Sequence, residues 1–249
     1  MSGIEFTKMQ GLGNDFVVIE GPARLSVDEV TRLCDRRLGV GADGVLVVTP
    51  GAPIAMDYWN ADGSPAEMCG NGLRCVGRYA RDKGWVTEDE FGVDTPVGLR
   101  RVRILGELLE AEMGTPLLEG EETIDGRAYH LVDIGNPHAV TVVDDPGDID
   151  VRSEGPVVAQ QAGFDAGCNV EFVSVDGDVL TMRVWERGVG ETLACGTGMA
   201  AAAAVALNGS DGSVTVNVPG GTGSVEVRDG IAWLTGPAEY SFRGVWDQG

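Results

Sequence analysis

The chain has 249 residues, of which 43% are hydrophobic, and 39 acidic against 18 basic residues give a formal net charge of −21. The hydrophobic fraction is that of a globular protein and argues against a disordered one. The negative charge argues against nucleic acid or an anionic membrane as a partner. The length suits one large domain or two of about 120 residues each.

The acidic residues are spread along the chain, and Lys8 and Lys83 are the only lysines. Such a composition is typical of proteins that work in concentrated salt, where ions screen the self-repulsion of the surface. We therefore expect a halophilic protein. An ordinary acidic cytosolic protein is the alternative.

The cysteines predict free thiols, because their number is odd and no Cys-x-x-Cys is present. They are Cys34, Cys69, Cys75, Cys168 and Cys195. Residues 1–10 contain no apolar signal core, so a cytoplasmic location is expected. The longest apolar run, residues 199–207, is too short to span a bilayer. No cluster of residues has the spacing of metal ligands.

In chain order, residues 16–20, 45–49 and 54–59 predict strands. Ser26 and Glu29 have the spacing of a capping box, which predicts a helix that ends at Gly39. Its expected buried face consists of Val27, Val30, Leu33, Cys34 and Leu38.

A second helix is predicted over residues 72–83, and strands over 101–104, 108–113 and 129–134 follow it. The expected apolar side of this helix contains Leu73, Val76, Gly77 and Ala80. Arg74, Arg78 and Arg81 are expected on another side.

The later part of the chain repeats this order, with strands predicted over 140–143, 170–175 and 180–185 and an apolar helix over 199–207 that belongs in the interior. The strands predicted to follow are 214–218, 224–228, 232–234 and 239–242. The repeated order predicts an α/β fold of the α+β kind, built by internal duplication from the halves 1–115 and 116–249. The boundary is expected in the stretch 114–122.

The two predicted long helices are each preceded by a cysteine and a Gly-x-Gly turn. These segments are Cys69-Gly70-Asn71-Gly72 and Cys195-Gly196-Thr197-Gly198. A helix start favours a thiolate and can bind a carboxylate. Two such thiols on opposite sides of one carbon atom can invert a stereocentre without a cofactor. The alternative is that both cysteines are small core residues. Neither turn is a phosphate-binding loop or a complete dinucleotide fingerprint.

Two further groups of residues can contribute to this chemistry. His138 follows Asn136-Pro137, which marks a turn, so its ring can project from a strand end and can accept, relay or orient a proton. The alternative is an ordinary turn histidine, and His130, within a predicted strand, is expected to be structural or on the surface. Glu186 and Arg187 end a strand and could bind an ammonium and a carboxylate. The alternative for them is a solvated ion pair.

Three asparagines lie beside predicted strand ends, and their amides can donate and accept without adding charge. They are Asn14, Asn60 and Asn169. Because asparagine is common in turns, each alone is weak support for a site.

Five segments resemble diaminopimelate epimerases and occur in the order found in that family. They are residues 9–16, 60–74, 135–138, 169–172 and 186–198. The second and the last are long and specific, and they contain the two cysteines.

The resemblance implies interconversion of LL- and meso-2,6-diaminopimelate on the way to lysine, with no pyridoxal phosphate and no metal. It implies two pseudo-symmetric halves, each mainly antiparallel strands wrapped around a central helix, with the active site in the cleft between them. It also implies that the last strand, at about 240–246, returns to the first half. The expected assembly is a homodimer.

The resemblance also implies a role for each matching residue. Cys69 and Cys195 are the acid–base pair, and His138 and Glu186 assist proton transfer. The residues expected to bind the reacting α-carboxylate are Gly70, Asn71, Gly196 and Thr197. Those expected to bind the distal amino-acid end are Asn60, Asn136, Asn169 and Arg187, with Asn14 also lining the site.

Two departures from the family pattern leave the details of the binding loop open. Gly44 stands where the family often has glutamine, and the stretch 164–168 lacks the proline expected after Phe164.

Two alternatives remain, a two-thiol racemase acting on proline or hydroxyproline and a non-catalytic amino-acid-binding protein on the same scaffold. The distal residues Asn60, Asn169 and Arg187 suit a second amino-acid group, which proline lacks. Both cysteines are present, as a catalyst of this kind requires.

Overall fold

The computed structural model describes residues 3–66 and 69–247. Met1 and Ser2 at the start, and Glu67 and Met68 of the second matching segment, lie outside the described residues. The chain divides into two compact units. Unit 1 combines the part up to Ala111 with the part from Pro237 onward, and unit 2 is Glu112–Gly236. The division falls a few residues before the stretch 114–122.

Unit 1 is a sheet with one helix on each face. Its elements are β1 (Ile4–Gly11), β2 (Asn14–Glu20), α1 (Val27–Cys34), β3 (Gly44–Thr49), β4 (Ile54–Asn60), α2 (Gly70–Asp82), β5 (Glu90–Thr95), β6 (Gly98–Leu105), β7 (Leu108–Gly114), which crosses the division, and the final strand, β17 (Glu239–Trp246). The α2 helix packs against β1, β2, β3, β4 and β6. The α1 helix packs on the other side, where Val30 and Leu33 meet Val45 and Val47.

Unit 2 has the same plan. Its elements are β8 (Leu117–Ile124), β9 (Arg127–Asp133), β10 (Pro137–Val142), α3 (Val151–Gln161), β11 (Asn169–Asp176), β12 (Val179–Glu186), β13 (Gly190–Thr192), α4 (Gly196–Ala206), β14 (Gly212–Val218), β15 (Gly221–Arg228) and β16 (Ile231–Gly236). The apolar α4 helix is enclosed by strands, as a helix without a polar face requires.

The two sheets have identical strand directions. The strand order is β17-β1-β2-β3-β4-β5-β6-β7 in unit 1 and β8-β9-β10-β11-β12-β14-β15-β16 in unit 2. When neighbouring strands are counted in pairs along each order, the third and fifth pairs are parallel and the other pairs are antiparallel. Thus β17 takes in unit 1 the place that β8 takes in unit 2. The predicted fold class, two similar halves of strands around a central helix, is confirmed.

The first helix is shorter than predicted. The capping box between Ser26 and Glu29 is present, but α1 ends at Cys34 and not at Gly39. The carboxylate of Asp35 accepts the N–H groups of Arg37 and Leu38, which turns the chain out of the helix. Leu38 is therefore 89% exposed, and Val27 at the other end is 60% exposed, so neither belongs to the buried face.

Arg74 differs from Arg78 and Arg81, which are partly buried, because its side chain is completely buried. Its guanidinium donates to the side chain of Asn71 at 2.8 Å and to the carbonyl of Pro237 at 3.3 Å. Burial lowers the pKa of Arg74 to about 10.

Among the strands and α-helices that the structure describes, five were not predicted, namely β1, β5, β8, β13 and α3. The α3 helix contains Gly155-Pro156, which argues against a helix in sequence. Gly155 is needed there because an added Cβ would lie 2.5 Å from the Cβ of Trp185. The β8 strand is exposed along most of its length and so lacks the alternation that marks a half-buried strand.

Candidate active site

Cys69 and Cys195 are the N-cap residues of α2 and α4. The sulfur of Cys69 accepts the N–H of Gly72 at 3.3 Å, and the sulfur of Cys195 accepts the N–H of Gly198 at 3.4 Å. Both thiols therefore lie at the positive end of a helix dipole, where a thiolate is stabilised. The following residues Gly70, Asn71, Gly196 and Thr197 form the first turns of the two helices.

In unit 1 the Cys69 thiol lies in a network of amides. It donates to the Oδ1 atom of Asn14 at 3.6 Å. The same oxygen accepts the Nδ2 of Asn71 at 3.2 Å, and Asn71 is held in turn by Arg74 at 2.8 Å. The predicted site residues Asn14, Cys69 and Asn71 are thus brought together.

A cluster of charges holds Asn14 in place. Its Nδ2 donates to the Oδ2 of Asp43 at 2.8 Å. Arg36 bridges Asp43 and Asp15, and the buried Lys8 lies 2.6 Å from Asp15. Burial opposes ionisation of Asp15, but the hydrogen bonds from Arg36 and Lys8 outweigh it and lower its pKa to about 2. For Asp43, burial raises the pKa.

Asn60 lies at the end of β4, and its hydrogen bonds are made within the turn that follows. Its Nδ2 donates to the Ser64 hydroxyl at 3.1 Å, and its backbone pairs with Ser64 and Gly63. The nearby Gly44 has no room for the glutamine common in the family, since an added Cβ would lie 2.5 Å from the carbonyl oxygen of Trp59 and 2.6 Å from the Tyr58 ring.

In unit 2 a chain of hydrogen bonds leads to Cys195. Glu171 Oε1 lies 2.7 Å from His138 Nδ1, and His138 Nε2 lies 3.1 Å from Asn136 Oδ1. Asn136 Nδ2 donates to the Thr197 hydroxyl at 3.2 Å, and that hydroxyl lies 3.4 Å from the Cys195 sulfur. His138 is the second residue of β10, at a strand end as expected, and its side chain is completely buried and so is not that of an ordinary turn histidine.

Opposing influences act on the ionisation of Cys195. Burial raises the pKa of its thiol well above the ordinary value, and the charges of Glu186 and Glu171 raise it further. The Thr197 hydroxyl and the Gly198 N–H lower this pKa. Ionisation of the thiol therefore depends on donors that reach the sulfur.

The remaining predicted residues of unit 2 lie where β11 begins, at Asn169, and where β12 ends, at Glu186 and the adjacent Arg187. The Oδ1 of Asn169 accepts the backbone N–H of Arg187 at 2.9 Å. The exposed guanidinium of Arg187 donates to the carbonyl of Gly167 at 3.1 Å, so it is tied to the loop that lacks the expected proline. Glu186 accepts the hydroxyl of Thr192 in a short hydrogen bond.

Among the residues of these networks that were missed in the sequence are Asp43 and Glu171. Glu171 lies between Val170 and Phe172 in a strand that is otherwise apolar at this point, which was the available signal. Asp43 precedes a buried strand and resembles any turn aspartate, so the sequence offered no signal for it.

Within residues 3–66 and 69–247, no group of three or more His, Cys, Asp or Glu side chains is placed to hold a metal ion. None of the helices described there is long and apolar enough to cross a membrane.

Comparison with known proteins places these features in a family. The family model for diaminopimelate epimerase matches residues 6–118 and 130–241. The diaminopimelate epimerase of Leptospira biflexa is 39% identical over 274 residues, covering 97% of this chain and 98% of the relative. That of Desulforudis audaxviator is 42% identical over 276 residues, covering 98% and 99%.

A solved structure of a hydroxyproline epimerase from Agrobacterium vitis shares the fold, with a TM-score of 0.74 over 99% of this chain and 94% of that chain. At 16% identity this likeness concerns the fold alone. The family model covers both N-cap cysteines and the residues bonded to them, and the sequence relatives span nearly the full length. The chain therefore belongs to the diaminopimelate epimerase family.

Proposed function

We propose that this protein interconverts LL- and meso-2,6-diaminopimelate by moving a proton at one α-carbon, as a step towards lysine. Membership of the family supports the substrate. The observation that carries the chemistry is the pair of cysteines, each the N-cap of a central helix in a unit of the same topology. The protein's own side chains suffice for this chemistry, so the proposal requires no cofactor.

In the proposed reaction one cysteine, as thiolate, removes the α-proton, and the other, as thiol, delivers a proton to the opposite face. The backbone N–H groups in the first turns of α2 and α4 bind the α-carboxylate. Gly70 and Asn71 supply that turn in α2, and Gly196 and Thr197 supply it in α4.

The contacts of the two sulfurs favour different protonation states. Cys69 donates to the Asn14 oxygen, which suits a thiol acting as acid. Cys195 lies against the Gly198 N–H and the Thr197 hydroxyl, which can stabilise a thiolate acting as base. We infer that the reverse reaction exchanges these roles.

The distal amino-acid end is proposed to meet Asn60, Asn169 and Arg187. A guanidinium suits a second carboxylate, because it can form a charge-assisted and bidentate contact. A proline or hydroxyproline has no group for these residues, which favours diaminopimelate over the two-thiol racemase alternative.

The test is deuterium incorporation at the α-carbon of LL-diaminopimelate in deuterated buffer, followed by mass spectrometry. Wild type should exchange and epimerise, and L-proline and trans-4-hydroxy-L-proline should remain unlabelled. Cys69→Ala and Cys195→Ala should each lose about 10²–10⁴-fold in turnover. Cys34→Ala is the matched control, since this buried thiol lies in the outer core of unit 1. Near-normal turnover in either folded active-site variant would overturn the two-thiol mechanism.

We also infer a cytoplasmic homodimer from the resemblance to the family. Light scattering after size exclusion should give twice the mass of one chain, and a monomeric mass would contradict the dimer.

A further inference from the structure

A completely buried histidine–glutamate pair lies beside the α4 helix. The side chains of His138 and Glu171 are both 0% exposed, and Nδ1 and Oε1 are 2.7 Å apart. They belong to the parallel strands β10 and β11, where His138 pairs with Asn169 and Glu171 lies two residues further on, on the same face of the sheet.

Unit 1 has an apolar pair at the same two places. Phe16 pairs with Gly44 between β2 and β3 as His138 pairs with Asn169, and Leu46 then corresponds to Glu171. The contacts of the two central helices, α2 and α4, show the same correspondence. Leu46 is the apolar side chain closest to an added Cβ at Gly72, and Glu171 is the side chain closest to one at Gly198. This topology therefore needs no ionisable group at either place.

Two buried ionisable groups carry a desolvation cost that an apolar pair avoids. A gain in stability therefore does not explain why His138 and Glu171 are present. The hydrogen bonds around His138 indicate what the pair does. Asn136 donates its Nδ2 to Thr197, so its Oδ1 faces His138 Nε2 as an acceptor. The other ring nitrogen faces a carboxyl oxygen of Glu171. Both nitrogens of the ring thus face acceptors, which is the environment of an imidazolium.

The surroundings of Glu171 favour a positive charge on the ring of His138. Its second oxygen, Oε2, is buried and has no hydrogen-bond partner in the part of the chain that the structure describes. A buried carboxylate with so few donors needs a positive partner, and His138 is in direct contact with it. The other titratable groups that bear on this region are Glu186 at the end of β12 and Cys195 at the start of α4.

We propose that Glu171 is a positioning residue that holds His138 as a buried imidazolium, so that hydrogen-bond donors point in succession from the ring through Asn136 and Thr197 to the sulfur of Cys195. The Thr197 oxygen accepts from Asn136 and is left to donate its proton to the sulfur. The charge on the ring also compensates that of Glu171 near the thiol. The proposal rests on the proposed function only in assigning Cys195 as an acid–base group.

The ring can be observed directly, because the chain has only two histidines. In protein labelled with ¹⁵N-histidine, the variant His130→Gln leaves the ring of His138 alone in the spectrum. We expect both of its nitrogens to carry a proton, because each faces an acceptor. In Glu171→Gln the ring should become neutral, and one nitrogen should show the shift of an unprotonated atom.

The matched control is Glu121→Gln, which removes the carboxylate 3.2 Å from the half-exposed His130. It should leave the His138 signals unchanged. An unprotonated ring nitrogen of His138 in wild type, or an unchanged ring in Glu171→Gln, overturns the proposal. If Glu171→Gln does not fold, the wild-type spectrum decides alone.

Activity gives a second and separate readout. Glu171→Gln should lower kcat about 10- to 100-fold, the range of one charge-assisted hydrogen bond, while KM changes little. Glu171→Asp should recover part of the loss. Wild-type kcat in Glu171→Gln contradicts the proposal. If the wild-type protein gives the expected spectra but does not epimerise diaminopimelate, the proposed function is contradicted. The protonation state of His138 then stands as established.

A double variant separates positioning from folding. His138→Phe with Glu171→Leu reproduces the pair of unit 1, and it should fold with equal or greater stability because a buried ion pair is replaced by apolar packing. Its kcat should fall at least as far as that of Glu171→Gln. A double variant with full activity would show that the pair serves packing only and would overturn the proposal.

Discussion

The carboxamide oxygen of Asn14 lies 3.6 Å from the sulfur of Cys69, and its orientation is set from the opposite side of the amide. The nitrogen of the same amide donates to Asp43, whose carboxylate is paired with Arg36. The oxygen must therefore face the thiol. An acceptor fixed beside a thiol favours its protonated form.

Asn14→Ala is expected to lower kcat about tenfold, the worth of one hydrogen bond, with little loss of stability. Steady-state epimerisation and thermal unfolding measure the two effects. Asn217→Ala, at a surface strand position in unit 2, is the matched control and should leave kcat unchanged. An unchanged kcat in Asn14→Ala would show that this acceptor has no part in the reaction.

The five thiols should react with iodoacetamide in a defined order. Burial raises the pKa of Cys34, Cys75 and Cys168 to about 12, and it raises the pKa of Cys195 as well. Cys69 is the half-buried thiol among them. At about pH 8, peptide mapping should find Cys69 alkylated first, because the reagent can reach this half-buried thiol while the other four are buried.

In Cys69→Ala this rapid alkylation should disappear, and the other four cysteines should keep their slow rates. Rapid labelling of Cys34, Cys75 or Cys168 in the folded protein would contradict the expectation.

Arg187→Leu should reduce kcat/KM for diaminopimelate far more than it reduces stability. Loss of the partner of a distal carboxylate costs about 2–5 kcal/mol by analogy with charge pairs that bind across an interface. The guanidinium is exposed and contacts loop carbonyls, so its removal should change the unfolding free energy little.

Slow deuterium uptake at high substrate should persist in Arg187→Leu, since the residues around both thiols are untouched. Arg152→Leu is the matched control, because its side chain is 81% exposed and also bonded to a neighbour, Glu191. Equal kcat/KM in wild type and Arg187→Leu would remove the distal-site assignment.

Asp15 should contribute to stability only above the acid range. Its pKa falls from 3.8 to about 2 on folding, so its contribution is present above about pH 4 and is lost as the pH falls through 2. Urea unfolding at a series of pH values should show Asp15→Asn less stable than wild type by about 2 kcal/mol at pH 6.

That difference should shrink as the pH approaches 2. The exposed Asp144→Asn serves as the control and should show a small difference throughout. A difference for Asp15→Asn that does not depend on pH would contradict the assigned ion pairs.

Salt should stabilise the folded chain. With a net charge of −21, repulsion opposes compaction, and the screening length falls from about 10 Å at 0.1 M salt to about 3 Å at 1 M. The melting temperature and the activity should therefore rise between these two KCl concentrations. A melting temperature that stays constant would speak against salt adaptation.

Most of the interior could be predicted from the sequence because its signals are local. The apolar runs that became β2, β3 and β11 and the Ala-rich α4 are continuous in the chain, and the capping box of α1 needs only four neighbouring residues. The cysteines before the helices were equally visible, since a helix start is defined by the residues that follow it.

The missed features depend on partners far apart in sequence. Arg74 has the spacing of a surface arginine, and its burial depends on the carbonyl of Pro237. Glu171 is a buried residue because His138 lies on the neighbouring strand, and nothing in the pattern of β11 alone names that partner. Asp43 acts on Cys69 through Asn14, which the sequence does not connect to either residue.

The pairing of β17 with β1 has a consequence for synthesis on the ribosome. The register joins Ile4 to Trp246 and Gln10 to Glu239, so unit 2 is made in full between the two strands. Unit 2 is continuous in the chain and can fold as it emerges. Until β17 follows, β1 has an unpaired edge, which is a site for wrong pairing with another nascent chain. The unit whose residues are translated first is therefore completed last.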